Sequence, residues 1–214
     1  MNLFKLVITN AKNYGIFQTL ILVSYEIIYS LIYQYNKQIF FDESKSDKYI
    51  ASKKSKIYNS PYCPTPIYFL KIINSFLKVY NLKKFTFIDF GSGAGRTLYF
   101  FNKNFQNYFG VEFNTKYKKF YKKDQFIFMD LRKKNNFKFL KEKNKYFVLF
   151  FFDPFEQNLV EKIVSKFGDK KYIIILINYK KLVNKFGKNI FKKEFANKNR
   201  NIRIYSNLNF NFFK

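Results

Sequence analysis

Four carboxylates stand at or near the ends of short apolar runs: Asp89 after Phe85-Thr-Phe-Ile88, Glu112 after Tyr108-Phe-Gly-Val111, Asp130 after Gln125-Phe-Ile-Phe-Met129, and Asp153 after Tyr146 to Phe152. The chain has only 14 acids beside 40 lysines and arginines, so four acids so placed form a pattern. Between the first and the second lies Gly91-Ser-Gly-Ala-Gly-Arg96, where glycines alternate with small residues. Such a turn can bend tightly and lets a ligand come close to the backbone. Carboxylates beside it can accept hydrogen bonds from hydroxyl and amino groups. The set is suited to holding a polar ligand. There is no histidine or tryptophan and one cysteine, Cys63. A histidine-based metal site, Cys/His catalysis and a disulfide framework are therefore excluded, and a lone cysteine points weakly to a reducing compartment. Any chemistry here uses carboxylates, hydroxyls, amides and a borrowed cofactor.

The apolar runs read as strands, and Thr97 to Lys103 reads as a helix whose N-terminal N–H groups face the glycine turn. Spacing discriminates between ligands. Dinucleotide folds use G-x-G-x-x-G with an acid about 20 residues later. Here the glycines run G-x-G-x-G, an extra acid precedes the first glycine by two residues, and Glu112 follows about 20 residues on. This arrangement resembles motif I and the following strand-end acids of the class I S-adenosylmethionine (SAM) methyltransferases, over about residues 58–178. The resemblance implies an α/β fold: a Rossmann-like, doubly wound, seven-stranded, mostly parallel sheet with an antiparallel last strand, here with an N-terminal helical extension. It implies SAM as cofactor, with Gly91, Ser92, Gly93, Gly95 and Arg96 around its methionine part and Asp89 orienting that part. Glu112 would hold the ribose, and Met129 with Asp130 would frame the adenine.

Two further segments carry the resemblance. Tyr62-Cys-Pro-Thr-Pro66 before an amphipathic stretch from Ile67 to Tyr80 is similar to the opening of small bacterial class I enzymes and of mitochondrial lysine methyltransferases. There the segment lies over the cofactor, which makes Tyr62 and Thr65 lid candidates; a proline-stiffened helix entry is the plain alternative. Asp153-Pro154-Phe155 resembles the Asp/Asn-Pro-Pro-aromatic turn of amino-methylating enzymes, which makes these three the catalytic candidates. One proline in place of two weakens a DNA-adenine reading. Motif I as Asp-x-Gly-Ser-Gly-x-Gly is also shared with the non-SET lysine methyltransferases, so transfer to a protein lysine is favoured. A nucleic-acid or small-molecule acceptor, and a SAM-fold binding subunit without turnover, remain the alternatives. On the residues alone, the alternative for Asp153 is an N-cap for a helix from Glu156 to Phe167.

At 214 residues the chain suits one full core. We divide it into an N-terminal helix and polar linker, residues 1–60, and a methyltransferase domain, residues 61–214. The net charge of +26 rests on lysine, with four arginines, so a basic surface reflecting composition is preferred to a selected nucleic-acid groove. Residues 1–14 lack a small-residue cleavage site. Residues 15–36 are apolar but interrupted by Glu26; Thr19, Glu26, Ser30 and Lys37 fall near one helical face, opposite Leu20, Ile27, Ile28, Leu31 and Ile32. A charge at a bilayer centre is costly. A helix packed on the domain or a partner is preferred to an interfacial membrane helix, and that to a true span. The expected location is cytoplasmic, with contact to the inner membrane face left open. Tyr172 to Ile177 reads as a fifth strand, and Phe191 to Ala196 with Ile202 to Asn209 as a closing antiparallel pair.

Overall fold

The computed structural model describes residues 3–32, 65–115, 117, 125–133, 145–152, 156–179, 186–195 and 200–208. The helices are α1 (Leu3–Tyr14), α2 (Ile16–Ile32), α3 (Ile67–Leu77), α4 (Arg96–Phe101) and α5 (Gln157–Ser165). The strands are β1 (Thr86–Phe90), β2 (Asn107–Glu112), β3 (Phe126–Phe128), β4 (Tyr146–Phe152), β5 (Lys171–Ile177), β6 (Lys188–Glu194) and β7 (Asn201–Ser206). They form one sheet in the order β3-β2-β1-β4-β5-β7-β6. β1 to β5 pair in parallel, and β7 runs antiparallel to both β5 and β6. This is the expected seven-stranded Rossmann-like sheet.

Strands buried on both faces read as continuous apolar runs, and their side chains divide by the two-residue period. On one face Phe87, Val148, Phe150, Ile173, Ile175 and Ile177 pack with α3 and α4. On the other, Ile88, Phe90, Leu149, Phe151, Ile174 and Leu176 pack with Val160, Ile163 and Val164 of α5. The strand order reverses at β1, which has β2 on one side and β4 on the other. In open α/β sheets ligands lie beyond the carboxyl ends of the strands at such a point. Asp89 is there, in register with Gly110 and Phe150.

The N-terminal helices pack on the α3 face with an unexpected polarity. Gly15, at φ 84°, breaks α1 from α2. Tyr14 meets Phe69 and Phe195 edge-on, Tyr25 lies 5.4 Å from Tyr68, and Tyr29 lies 5.9 Å from Phe100. Thr19 and Leu22 are buried, while Ile16, Phe17, Leu20, Ile27, Ile28 and Leu31 are more than half exposed. The face bearing Thr19 and Glu26 is therefore the one turned to the domain, and the opposite apolar face is turned outward. Glu26, on the inward face beside Leu22, Tyr25 and Tyr29, has a buried partner in the domain, described below.

Candidate functional site

The site grows out of the β1–α4 turn. Gly91, Gly93 and Gly95 have φ of 74°, 51° and 82°, a left-handed region in which a side chain would strain the backbone. The turn is fixed by Gly91 N–H and Ser92 N–H donating to the Val111 carbonyl at 2.7 and 3.3 Å, and by Gly95 N–H donating to the Ser92 carbonyl at 2.8 Å. β2 approaches closely because Gly110 has no side chain: a Cβ there would collide with Ser92 Oγ and the Phe126 ring. The Ser92 hydroxyl thus lies beneath the turn, buried and without a hydrogen-bond partner.

Two carboxylates meet at this turn. Asp89 is buried, and burial pushes its carboxyl well above the usual range. The neighbouring Glu112 charge pushes it further, against a stabilising hydrogen bond with Thr97. Glu112 is also raised by burial, opposed by the N–H groups of Asn114, Gly93 and Phe113. Glu112 Oε2 accepts from Gly93 N–H at 2.8 Å, and Oε1 accepts from Phe113 and Asn114 N–H at 2.9 and 2.8 Å. A carboxylate offers about four lone-pair sites. Three are taken, so one remains for a ligand.

Asp130 is similarly occupied. Its Oδ1 accepts from the Arg132 N–H and Nε at 3.1 and 2.7 Å, and its Oδ2 accepts from Arg132 Nη2 at 2.7 Å. This bidentate pair holds the Asp130 carboxyl below its ordinary range. The Arg132 guanidinium carbon also lies 5.2 Å from the centre of the half-exposed Phe113 ring. Met129 donates its N–H to the Glu112 carbonyl at 2.9 Å, which brings the β3 end to the β2 end.

Arg96 begins α4, and its side chain is 4% exposed. It turns away from Asp89 and Glu112 toward α2. Its Nη1 lies 3.0 and 2.9 Å from the two Glu26 carboxylate oxygens and 3.3 Å from the Thr65 carbonyl. Glu26 Oε1 also accepts the Ile67 N–H at 2.9 Å, satisfying one of the first free donors of α3. Glu26 thus ties α2, the entry to α3 and the glycine turn together. Asp89, Gly91, Ser92, Gly93, Gly95, Glu112, Met129 and Asp130 gather at the strand ends. Thr65 joins them through its backbone and Arg96 faces a protein carboxylate. Tyr62, Asp153, Pro154 and Phe155 lie outside the described residues.

Sequence reasoning missed three participants. Arg132 neutralises Asp130; its position two residues on is a legible signal for a local pair. Glu26 is 70 residues from Arg96, and nothing in the spacing links them. Asn178 follows β5 with φ 65°, a left-handed conformation that asparagine tolerates better than most residues, and both polar atoms of its side chain are buried without partners. It sits where β5 passes the end of β4, since Phe152 pairs with Ile177.

No protein-family profile matches the sequence, and no curated protein aligns with it. Solved structures resemble it at low identity. HI0767 of Haemophilus influenzae, a presumed methylase, is 15% identical with a TM-score of 0.46, over 66% of this chain and 89% of that one. A SAM-dependent methyltransferase from Clostridium acetobutylicum is 13% identical with a TM-score of 0.40, over 79% of this chain and 65% of that one. TrmK of M. capricolum, solved with S-adenosylhomocysteine, is 15% identical with a TM-score of 0.41, over 63% of this chain and 66% of that one.

Proposed function

We propose that this chain is a SAM-dependent methyltransferase acting on an amino nitrogen, with protein lysine the favoured acceptor. The observation that carries the reading is the pair of buried carboxylates, Asp89 and Glu112, flanking a turn of left-handed glycines in a chain of net charge +26. A pyrophosphate at this turn would meet Glu112 on the Gly93 N–H and Asp89 behind it. Once ionised, the two carboxylates oppose an anion and favour a cationic ligand. SAM carries a sulfonium and an ammonium group, and its activated methyl is the chemistry it supplies when bound.

The described residues fit that group. Asp89 would orient the ammonium group, and the exposed Gly91 backbone leaves room for close approach. Glu112 has one free acceptor site, so holding two ribose hydroxyls requires it to release one backbone donor. Gly93 N–H is the natural one to yield, because the other two bonds are local to Glu112's own turn. Phe113 offers an exposed aromatic face beside the Asp130–Arg132 pair, where a flat base would compete with the guanidinium. The acceptor amine would meet Asp153-Pro154-Phe155, with the Asp153 oxygen taking its hydrogen bond, as the resemblance of that turn implies. Asn178, beside the end of β4, is a further polar group at that side.

Incubating the protein with methyl-labelled SAM and fractionated cell extract tests the reading. Label in protein, acid-stable and released as methyl-lysine on hydrolysis, is the expected result. Label in RNA or in a small molecule would move the acceptor. Titration calorimetry showing no SAM uptake but clear NAD uptake would overturn the cofactor.

A further inference from the structure

We propose that the outward face of α2 is a docking surface for an anionic lipid membrane. α2 presents Ile16, Phe17, Leu20, Ile27, Ile28 and Leu31 to solvent, each between 53% and 77% exposed. Their steps of one, three and seven residues place them along one side of the helix, with exposed Ser24 between Leu20 and Ile27. Val7 and Ile8 of α1 are also exposed, at 38% and 41%. Scattered exposed apolar side chains need no explanation, but a contiguous patch of this kind marks an interaction site.

Charge decides the occupant. Glu26 is the only acid in residues 1–41, and its carboxylate is turned inward onto Arg96 and the Ile67 N–H. Among the described residues of α1 and α2, the outward face therefore carries no acid. Exposed Lys12 closes the last turn of α1, and exposed Lys71 of α3 lines the groove beside α2. That groove, of about 490 Å³, is walled by Phe17, Leu20, Ile28 and Tyr29. Apolar walls with an ammonium group among the lining residues match an acyl chain beneath an anionic headgroup. A protein of net charge +26 is drawn to such a surface before any contact forms. A second copy of the same chain would bring two strongly positive bodies together. No helix among the described residues is long and apolar enough to cross a membrane, so the fit is to lying in the interface.

The chain has no tryptophan, so Leu20→Trp creates a single fluorescent reporter on the exposed stripe. Asn158→Trp places the same reporter on α5, which packs on the opposite face of the sheet. Full-length variants are titrated at physiological salt with phosphatidylcholine vesicles, with and without phosphatidylglycerol, and with brominated lipid as quencher. The expected result is a blue shift and quenching at position 20 with anionic vesicles only, and neither at position 158. Adding Phe17→Ser and Ile28→Ser to the reporter should weaken partitioning at least about tenfold, since two insertable side chains are lost. No change at position 20 refutes the proposal. Equal responses at both positions refute it in favour of diffuse lysine adsorption. A lipid-free blue shift at position 20 refutes it too: dependence on protein concentration would mean that a second copy covers the face, and independence that the chain covers it itself.

Discussion

Removing the Glu26 carboxylate should cost far more than an ordinary surface charge. In Glu26→Ala, the Arg96 guanidinium loses its counter-charge while its side chain stays 4% exposed, and the Ile67 N–H loses its acceptor. Breaking a fully buried ion pair from one side costs about 3–5 kcal/mol. Glu26 itself is 31% exposed, so water can partly take its place, and about 2–3 kcal/mol is a fitting share. The uncapped α3 donor adds about 1 kcal/mol. A total near 3–4 kcal/mol corresponds to a fall in Tm of about 10 °C for a chain of this size. Thermal unfolding followed by circular dichroism measures it. The decisive assay is the double-mutant cycle with Arg96→Met, because removing both charges avoids the stranded guanidinium. We expect the double variant to be more stable than the sum of the single changes implies, by at least about 1.5 kcal/mol. Additivity within about 0.5 kcal/mol would mean that the two residues do not interact, and would refute the reasoning.

Gly110→Ala should destabilise by about 1–3 kcal/mol, because its Cβ must displace Ser92 Oγ or the Phe126 ring; urea unfolding measures the loss, and an unchanged midpoint would show that β2 yields easily. The Asp89 carboxyl is held above its ordinary value near 3.8, so the folded state binds more protons than the unfolded one once the pH exceeds that value. Stability from this group is therefore greatest at low pH and falls as the pH rises toward the raised folded value. The difference between wild type and Asp89→Asn should accordingly shift in the variant's favour with rising pH, and denaturant midpoints moving the opposite way would contradict the assignment. SAM binding should tighten over the same range as the carboxylates ionise, which calorimetry at several pH values can follow. At the proposed acceptor site, Asp153→Ala should leave SAM affinity nearly unchanged but lower methyl transfer at least about a hundredfold. Asp153→Asn should retain most turnover if an acceptor oxygen is what matters. If alanine only lowers Tm while turnover per folded molecule holds, Asp153 is a helix cap and the amine site is lost.

The sheet was legible because its strands are written twice, once as apolar runs and once as acids or glycines that stop them. β4 spans Tyr146–Phe152 as expected, and β5 begins one residue before Tyr172. β3 is shorter than its sequence suggests: only Phe126–Phe128 pairs with β2, Met129 keeping one bond to the Glu112 carbonyl while the Asp130 side chain is held by Arg132. β6 starts at Lys188, earlier than Phe191, since an edge strand tolerates polar residues that hide its period. Residues 1–14 carry no helix in the sequence-based expectation, yet Leu3–Tyr14 form α1. The spacing of α2 puts Thr19 and Glu26 on one face, as found, but a polar face is turned to solvent only when nothing in the fold answers its charge. Arg96 answers it from 70 residues away, and helical periodicity holds no record of such a distance. The same limit applies to the site. Glycines and acids announce a ligand, whereas the Glu112 bonds to Gly93, Phe113 and Asn114 exist only once β1 and β2 lie side by side.

The sheet order carries a consequence for how the chain is made. β7 is synthesised after β6 but lies between β6 and β5. Until it inserts, β5 offers an open edge whose sequence, Tyr172-Ile-Ile-Ile-Leu-Ile177, has no charge, proline or glycine. Segments of that kind template intermolecular β-pairing when exposed. The interval between the emergence of β5 and the docking of Ile202, Ile204 and Tyr205 is thus when a nascent chain is most exposed to aggregation. Substitutions that slow β7 insertion should reduce soluble yield more than they reduce the stability of molecules that have already folded.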